Sequence, residues 1–525
     1  MENKPYSIFN DVIGPVMTGP SSSHTAAPAR IGYMTRHLLA SEPKDLLFEF
    51  DRNGSFAASY FTQGTDRGLV GGFLGYTPDN LKLITALEDA KAKNINVTFK
   101  VIDFDAPHPN TVRITATGND GETVTSTGIS VGGGIMEVLN VNGFDVSMPG
   151  EYYELLITLN KENCSDALNE KIKKSLNSFE YFDIIERDGK VLINIKLSYK
   201  PDLQPIDAIT SSLQNSKIRL IPPVFSILSR KNIVVPFRTA EEMARWAKAN
   251  NYSPWETGLY YEVARSGLTA NEVMQKMIEI VEVMENSVRS GLNSDKPGKL
   301  IKARAGKYAK SSKEGKLINL GAIDTVIAWS MAMVEVNSNY GIIVAAPTSG
   351  ACGTVPGAVL GTGEYLGASK EEKAKALFAA GAVGLAIASQ ATFAAEICGC
   401  QAECGAASCM AAAGIIQLMG GTVEQSNAAA SISLQNVLGM ICDSVASLVE
   451  VPCLGRNVMC AVNAVSTANM VFAGSEDIIP LDEVITSMLE VGKLMPPELC
   501  CTNSGGLAIT KTSLELAEKL NISFN

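Results

Sequence analysis

Histidine is scarce: three residues in 525, namely His24, His37 and His108, leave few proton carriers for any acid–base chemistry near neutral pH. Basic charge is also in deficit, with 44 Lys and Arg against 55 Asp and Glu and a net charge of −11. That balance argues against nucleic acid or an anionic membrane as the main partner, although it leaves an anionic small substrate open. The start "MENKPYSIFNDVIG" lacks a basic segment followed by an apolar one, so no secretory signal is expected and the chain reads as cytoplasmic. One run, Ala376 to Ala395, lacks charge for long enough to span a bilayer. Its Ala, Gly, Ser, Gln and Thr content predicts instead a helix buried in a packed bundle. Paired C-x-x-C motifs are missing too, although there are eleven cysteines. A disulfide framework belongs to small secreted chains, which this one does not resemble.

What is present changes along the chain. Residues 1–148 mix strand-like runs ("DLLFEFD", "INVTFKVID", "TVRITATG") with glycine-rich stretches ("TQGTDRGLVGGFLG", "ISVGGGIMEV") read as turns, and predict an α/β domain. Residues 150–222 carry patterns in the order β-α-β-β-α-β, which predicts a ferredoxin-like unit similar to a small ACT-type regulatory domain. "IPPVFSILSRK" reads as a linker. Residues 225–525 are dominated by helical and Ala-rich segments and predict an all-helical bundle, expected to fold by itself. The fold class is thus multidomain, α/β plus all-α.

Ten of the eleven cysteines lie between Cys352 and Cys501. Cys400, Cys442 and Cys453 are spaced C-x41-C-x10-C, which by itself fits buried structural thiols as well as metal ligands. Cys400 follows Gly399, where a chain can turn and present a sulfur, and Cys453 follows Pro452. Cys398 and Cys404 are rival ligands by proximity. "GPSSSHT" gathers Ser21, Ser22, Ser23, His24 and Thr25, with helix capping as the plain alternative. "PHPNT" holds His108 and Asn110 in a turn-forming run. "AAPTSGACGTVPG", with Thr348, Ser349 and Gly350, and "TNSGGLA", with Ser504 and Gly505, are loops whose N–H groups could cradle a carboxylate. His37 sits inside a helical pattern and is expected to be structural.

Together the runs "GCQAE", "EVPCLGRN", "APTSGACGTVPG", "TNSGGLA", "TGPSSSHTAAPARIG" and "PHPNTVRI" resemble the iron–sulfur L-serine dehydratases, with both halves of that family fused in one chain. The resemblance implies a [4Fe-4S] cluster on Cys400, Cys442 and Cys453, whose iron without a protein ligand acts as a Lewis acid on the substrate hydroxyl. It further implies an amino-acid substrate gripped by the hydroxyl- and glycine-rich turns, with His24 and His108 at the chemistry; His108, one of only three imidazoles and beside the polar Asn110, is the base expected here. A homodimer is expected.

Three stretches depart from the family pattern. Gln63, in "YFTQGTDRG", stands where the family has a histidine; "ARAGKYA" replaces a Gly-Gly-Asp run; "ELCCTNSGG" replaces Arg-Glu-Thr. Two other readings therefore stay open beside serine deamination: β-elimination from L-cysteine, and a cluster-binding sensor without lyase activity. A pyridoxal-phosphate dehydratase is weaker, because no run matches a phosphate cup for that cofactor.

Overall fold

Strand Pro43–Asp51 buries Leu46, Phe48 and Phe50 on one face by simple alternation, and a six-stranded sheet grows around it. The strand order is Asn96–Ile102, Pro43–Asp51, Thr111–Gly118, Thr123–Gly132, Ile135–Val141, Phe144–Met148. The first pair is parallel and the others antiparallel. This computed structural model describes residues 5–211, 213 and 215–522.

Helices Ala27–Arg36 and Thr65–Phe73 pack against each other beside this sheet. The second of them lies in the glycine-rich run read as a turn. Its glycines serve close packing: a Cβ on Gly72 would collide with the Ala29 carbonyl, and one on Gly32 with that of Leu69. The other glycine-rich stretch is a turn, with Gly132, Gly133 and Gly134 all at positive φ between two strands.

A second sheet, fully antiparallel, has the order Lys217–Ile221, Tyr153–Asn160, Lys190–Leu197, Tyr181–Arg187. Helices Asp166–Ser175 and Gln204–Thr210 interrupt these strands along the chain, giving β-α-β-β-α-β. Leu155, Ile157, Ile193 and Ile195 face those helices, whereas Leu156, Leu192 and Ile221 join the core of the first sheet. Between the two sheets lies Glu154, wholly buried and without a well-formed hydrogen bond among the described residues. Burial pushes its carboxyl up to about 8, with Lys196 and Asn194 only partly opposing. The unfolded chain would release that proton near its ordinary value of 4.5, so folding stability should fall as pH rises from there to about 8. The slope is at most about 1.4 kcal/mol per pH unit. Glu154→Gln should flatten it. Denaturant titrations of both proteins at pH 5 and pH 8 check this, and an equal loss of stability in the variant would count against it.

The remaining chain is helical, apart from the short strand Ile342–Val344. Its centre is Lys370–Gln390, capped by Ser369, whose hydroxyl accepts from the Glu372 N–H. That helix is buried among Pro254–Ser266, Ala270–Leu292 and Cys404–Leu418. Among the described residues no single helix is long and apolar enough to cross a membrane. The start of the chain belongs to this layer rather than to the first sheet. Ile8 and Val12 lie against Gly381 and Gly384 of the central helix, and Val16–Thr18 pairs antiparallel with Ile342–Val344.

Candidate active site

The polar turn Ser22–Ala26 opens helix Ala27–Arg36, with Ser21 Oγ accepting the His24 N–H at 3.2 Å. Capping is therefore real, yet it does not exhaust the turn. Ser22 Oγ accepts from the Ser349 N–H at 3.2 Å and Ser349 Oγ donates to the Pro20 carbonyl at 2.7 Å, so two loops of the expected site are bound together. The His24 ring is wholly buried, with Nδ1 2.8 Å from Ser23 Oγ and Nε2 3.2 Å from Ser55 Oγ. Burial lowers its pKa, with the charge of Glu396 opposing.

Glu396 joins the two halves of the chain. Its Oε1 accepts from Ser23 Oγ at 2.9 Å and from Asn110 Nδ2 at 3.1 Å, and lies 3.6 Å from His24 Nδ1. Burial alone would raise its pKa, but His24 and these two donors hold it below the ordinary glutamate value. It is an ionised carboxylate in a dry place. His108 lies beside it, with Nδ1 accepting the Asn110 N–H at 3.1 Å. A neutral imidazole carries one hydrogen, so with Nδ1 as acceptor that hydrogen is on Nε2. His108 Nε2 and Asn110 Oδ1 are both buried and have no hydrogen-bond partner among the described residues. One is a donor, the other an acceptor, and leaving each unpaired costs about 1–3 kcal/mol.

Glu403, which feels the charge of both Glu396 and Cys400, leads from this group to the thiols. Gly399 ends the preceding helix at φ 65°, where a Cβ would crowd the Met440 carbonyl, and the chain turns to place Cys400. The sulfurs of Cys400 and Cys442 and a carboxylate oxygen of Glu403 all lie within 4.8 Å of one another. Cys453 begins helix Cys453–Phe472 after Pro452, so the proline starts a helix here. That places the sulfur at a helix N-terminus, where a thiolate is favoured. Cys453 is close enough to Cys400 and Glu403 for their charge, after burial, to raise its pKa. Arg456 Nη1 lies 3.7 Å from Cys400 Sγ, and Nη2 donates to Asp443 at 2.8 Å. The Cys400 thiol is held below its usual value, first by its hydrogen bond with Cys442, with Arg456 adding to that against burial. Thr348 Oγ1 donates to Glu403 at 2.8 Å, and the Gly350 carbonyl accepts from Asn457 Nδ2 at 2.8 Å.

Residues 161–508 match the family model of the serine dehydratase alpha chain, and residues 11–139 match that of the beta chain. The chain belongs to the serine dehydratase family. It is 39% identical over 286 residues to the probable L-serine dehydratase alpha chain of Bacillus subtilis (strain 168), covering 54% of this chain and 95% of that one. Against that organism's probable beta chain the identity is 44% over 154 residues, covering 29% of this chain and 68% of the other. The alpha chain of L-serine dehydratase from Peptoniphilus asaccharolyticus is 35% identical over 280 residues, 53% of this chain and 96% of that one.

In this serine dehydratase fold the expected residues do not all meet. Thr25 is buried and donates to the Gln63 carbonyl at 2.7 Å, which makes it a brace. Gln63 is buried, and its Nε2 lies 4.0 Å from Cys501 Sγ. Ser504 is exposed and bonds only within its own loop, while Gly505 packs on Glu498. Of the rival thiols, Cys398 packs under Gly492, and Cys404 is hydrogen-bonded to Cys460 in the helical core. His37 bonds the Tyr33 carbonyl at 2.9 Å at a helix end, a structural role. Glu396, Glu403 and Ser55 escaped the sequence reading. A signal existed for two of them: from residue 376 to 403, Glu396 and Glu403 are the only charged side chains in an otherwise apolar run. Buried charge without a task is expensive.

Proposed function

We propose that this protein deaminates L-serine to pyruvate and ammonia, with a [4Fe-4S] cluster held by Cys400, Cys442 and Cys453. The observation that carries the reading is the unpaired donor at His108 Nε2 beside the unpaired acceptor at Asn110 Oδ1. An α-amino acid offers both complements, a carboxylate oxygen and an ammonium. The free thiols suit the cluster, because all three are buried, two are in contact, and Arg456 supplies a cation beside them. When bound, it supplies a Lewis acid for the substrate's hydroxyl.

The chain's own groups do the rest. Ser23 is the member of its turn that is only half-buried, and its hydroxyl bridges His24 and Glu396. The N–H groups of Thr348 and Gly350 orient the carboxylate, that of Ser349 being engaged by Ser22. His108 holds its proton at Nε2 and presents it to a substrate oxygen. The α-proton passes toward Glu396, the ionised acceptor of the network. His108, expected as the base, is thereby reassigned as a donor, since its one free lone pair is already engaged by the Asn110 N–H.

The second sheet with its two helices is proposed as an ACT-type regulatory unit at 150–222, between a smaller catalytic part (1–148) and the helical part (225–525). The assembly is proposed as a cytoplasmic homodimer. Protein purified without oxygen and supplied with iron and sulfide should be brown. It should form pyruvate from L-serine faster than from L-threonine or L-cysteine. Iron-loaded protein that forms no pyruvate from L-serine would overturn the proposal.

A further inference from the structure

Gln63 and Cys501 occupy two of the positions where the chain departs from its family's pattern, and the fold brings them together. Gln63 Nε2 donates toward Cys501 Sγ at 4.0 Å, across 438 positions of sequence. Their loops are tied by a common partner: Thr62 Oγ1 lies 2.9 Å from Ser447 Oγ, which accepts from Asn503 Nδ2 at 3.0 Å. The backbone of Cys501 is also fixed against the thiol group. Its N–H donates to the Cys442 carbonyl at 3.0 Å, and the Cys442 N–H donates to the Leu499 carbonyl at 2.8 Å. Cys442 Sγ is hydrogen-bonded to both Cys400 and Cys501, and the Cys501 side chain packs on the cluster of Ala395, Cys400 and Cys442. Cys500 does not share this placement, since its sulfur is turned toward the Ile397 carbonyl at 4.0 Å.

We propose that Cys501 is a fourth thiolate ligand of the substrate-free centre held by Cys400, Cys442 and Cys453, giving up its place on the iron when the substrate hydroxyl binds, with the Gln63 amide donating a hydrogen bond to its sulfur. This rests on the cluster reading above. A three-cysteine centre keeps one iron without a protein ligand, and Cys501 is the additional thiol in contact with that trio whose backbone is fixed to one of its members. Gln63 then has a task that fits an amide. It cannot take a proton from carbon, but it can steady a thiolate, and N–H···S bonds are a standard means of tuning such centres. Glu403 is the competing donor: it lies within 4.8 Å of Cys400 and Cys442, and although Thr348 engages its Oε1, its Oε2 lies 3.8 Å from Cys400 Sγ, so Glu403→Gln belongs in the test.

The test follows the lability of one iron, not turnover. Full-length protein reconstituted without oxygen is treated with ferricyanide, and the electron paramagnetic resonance signal of a three-iron cluster is followed over time. Cys501→Ser and Cys501→Ala should lose the iron about tenfold faster than wild type or more, the scale on which ligand-shell changes alter metal affinity. Gln63→Leu should move in the same direction by less. Cys500→Ser and Glu403→Gln should behave as wild type. Equal rates in wild type and both Cys501 variants would overturn the assignment while leaving the three-cysteine cluster intact. Acceleration in Glu403→Gln alone would also overturn it, transferring the fourth position to the carboxylate. Wild-type protein that takes up no iron would overturn the cluster reading and this proposal together.

Discussion

Glu396→Gln is expected to lower pyruvate formation from L-serine by about 10²- to 10⁴-fold, the loss that follows removal of a proton-transfer group. The substitution keeps the volume and removes the charge. In the native site Oε1 accepts from Ser23 and Asn110 while its charge faces His24 and His108. A neutral amide is no acceptor for a carbon-bound proton, while its oxygen can keep both donors, since Ser23 and Asn110 reach the same atom. Burial lowers the pKa of both His24 and His108, with Glu396 working against it. Loss of the carboxylate should therefore depress both further. Cluster content and the visible spectrum should be unchanged, because no hydrogen bond links Glu396 to Cys400, Cys442 or Cys453. His108→Ala, which removes a donor and not the acceptor, should cost less than Glu396→Gln. If Glu396→Gln retained a tenth of the wild-type rate or more, or if His108→Ala were the more damaging change, the base would be His108 after all.

The thiols and the hydroxyl turn were legible in sequence because each is a local run with a chemical reason: a glycine before Cys400, a proline before Cys453, three serines before His24. The alternation in "DLLFEFD" and the β-α-β-β-α-β order were legible for the same reason. The carboxylate between them was not, because Glu396 meets Ser23 across 373 positions and Asn110 across 286, and no local pattern announces such a meeting. The run "GTDRGLVGG" failed differently. Glycine weakens a lone helix, but here its lack of a side chain lets Thr65–Phe73 lie against Ala27–Arg36, so tertiary contact outweighs propensity. The tautomer of His108 depends on a backbone N–H two residues away and is a property of the folded loop alone.

Residues 225–525 expressed alone should fail to fold cooperatively, although their composition predicts a self-sufficient bundle. The reason is the start of the chain. Ile8, Val12, Ile13 and Met17 are fully buried and Phe9 nearly so; all but Met17 lie in the main helical core, and Met17 packs in a neighbouring cluster of that layer. At about 1.5–3 kcal/mol for each such side chain, their loss costs roughly 8–15 kcal/mol, as much as the whole stability of an ordinary domain. Polar pairing would be lost as well. Ser7 Oγ and the Ile8 N–H donate to the two oxygens of Glu262 at 2.8 and 2.7 Å, and Glu262 is fully buried. Without residues 5–18 that carboxylate keeps Arg265 nearby but loses both hydrogen bonds, and Ile342–Val344 loses its only strand partner among the described residues. Gly381 and Gly384 would face a cavity where Ile8 and Val12 now sit. The same fragment joined through a flexible linker to residues 1–20 should regain a cooperative thermal transition and near-ultraviolet dichroism. If residues 225–525 alone melted cooperatively within a few degrees of the full chain, the N-terminal segment would be a passenger on the bundle and not part of its core.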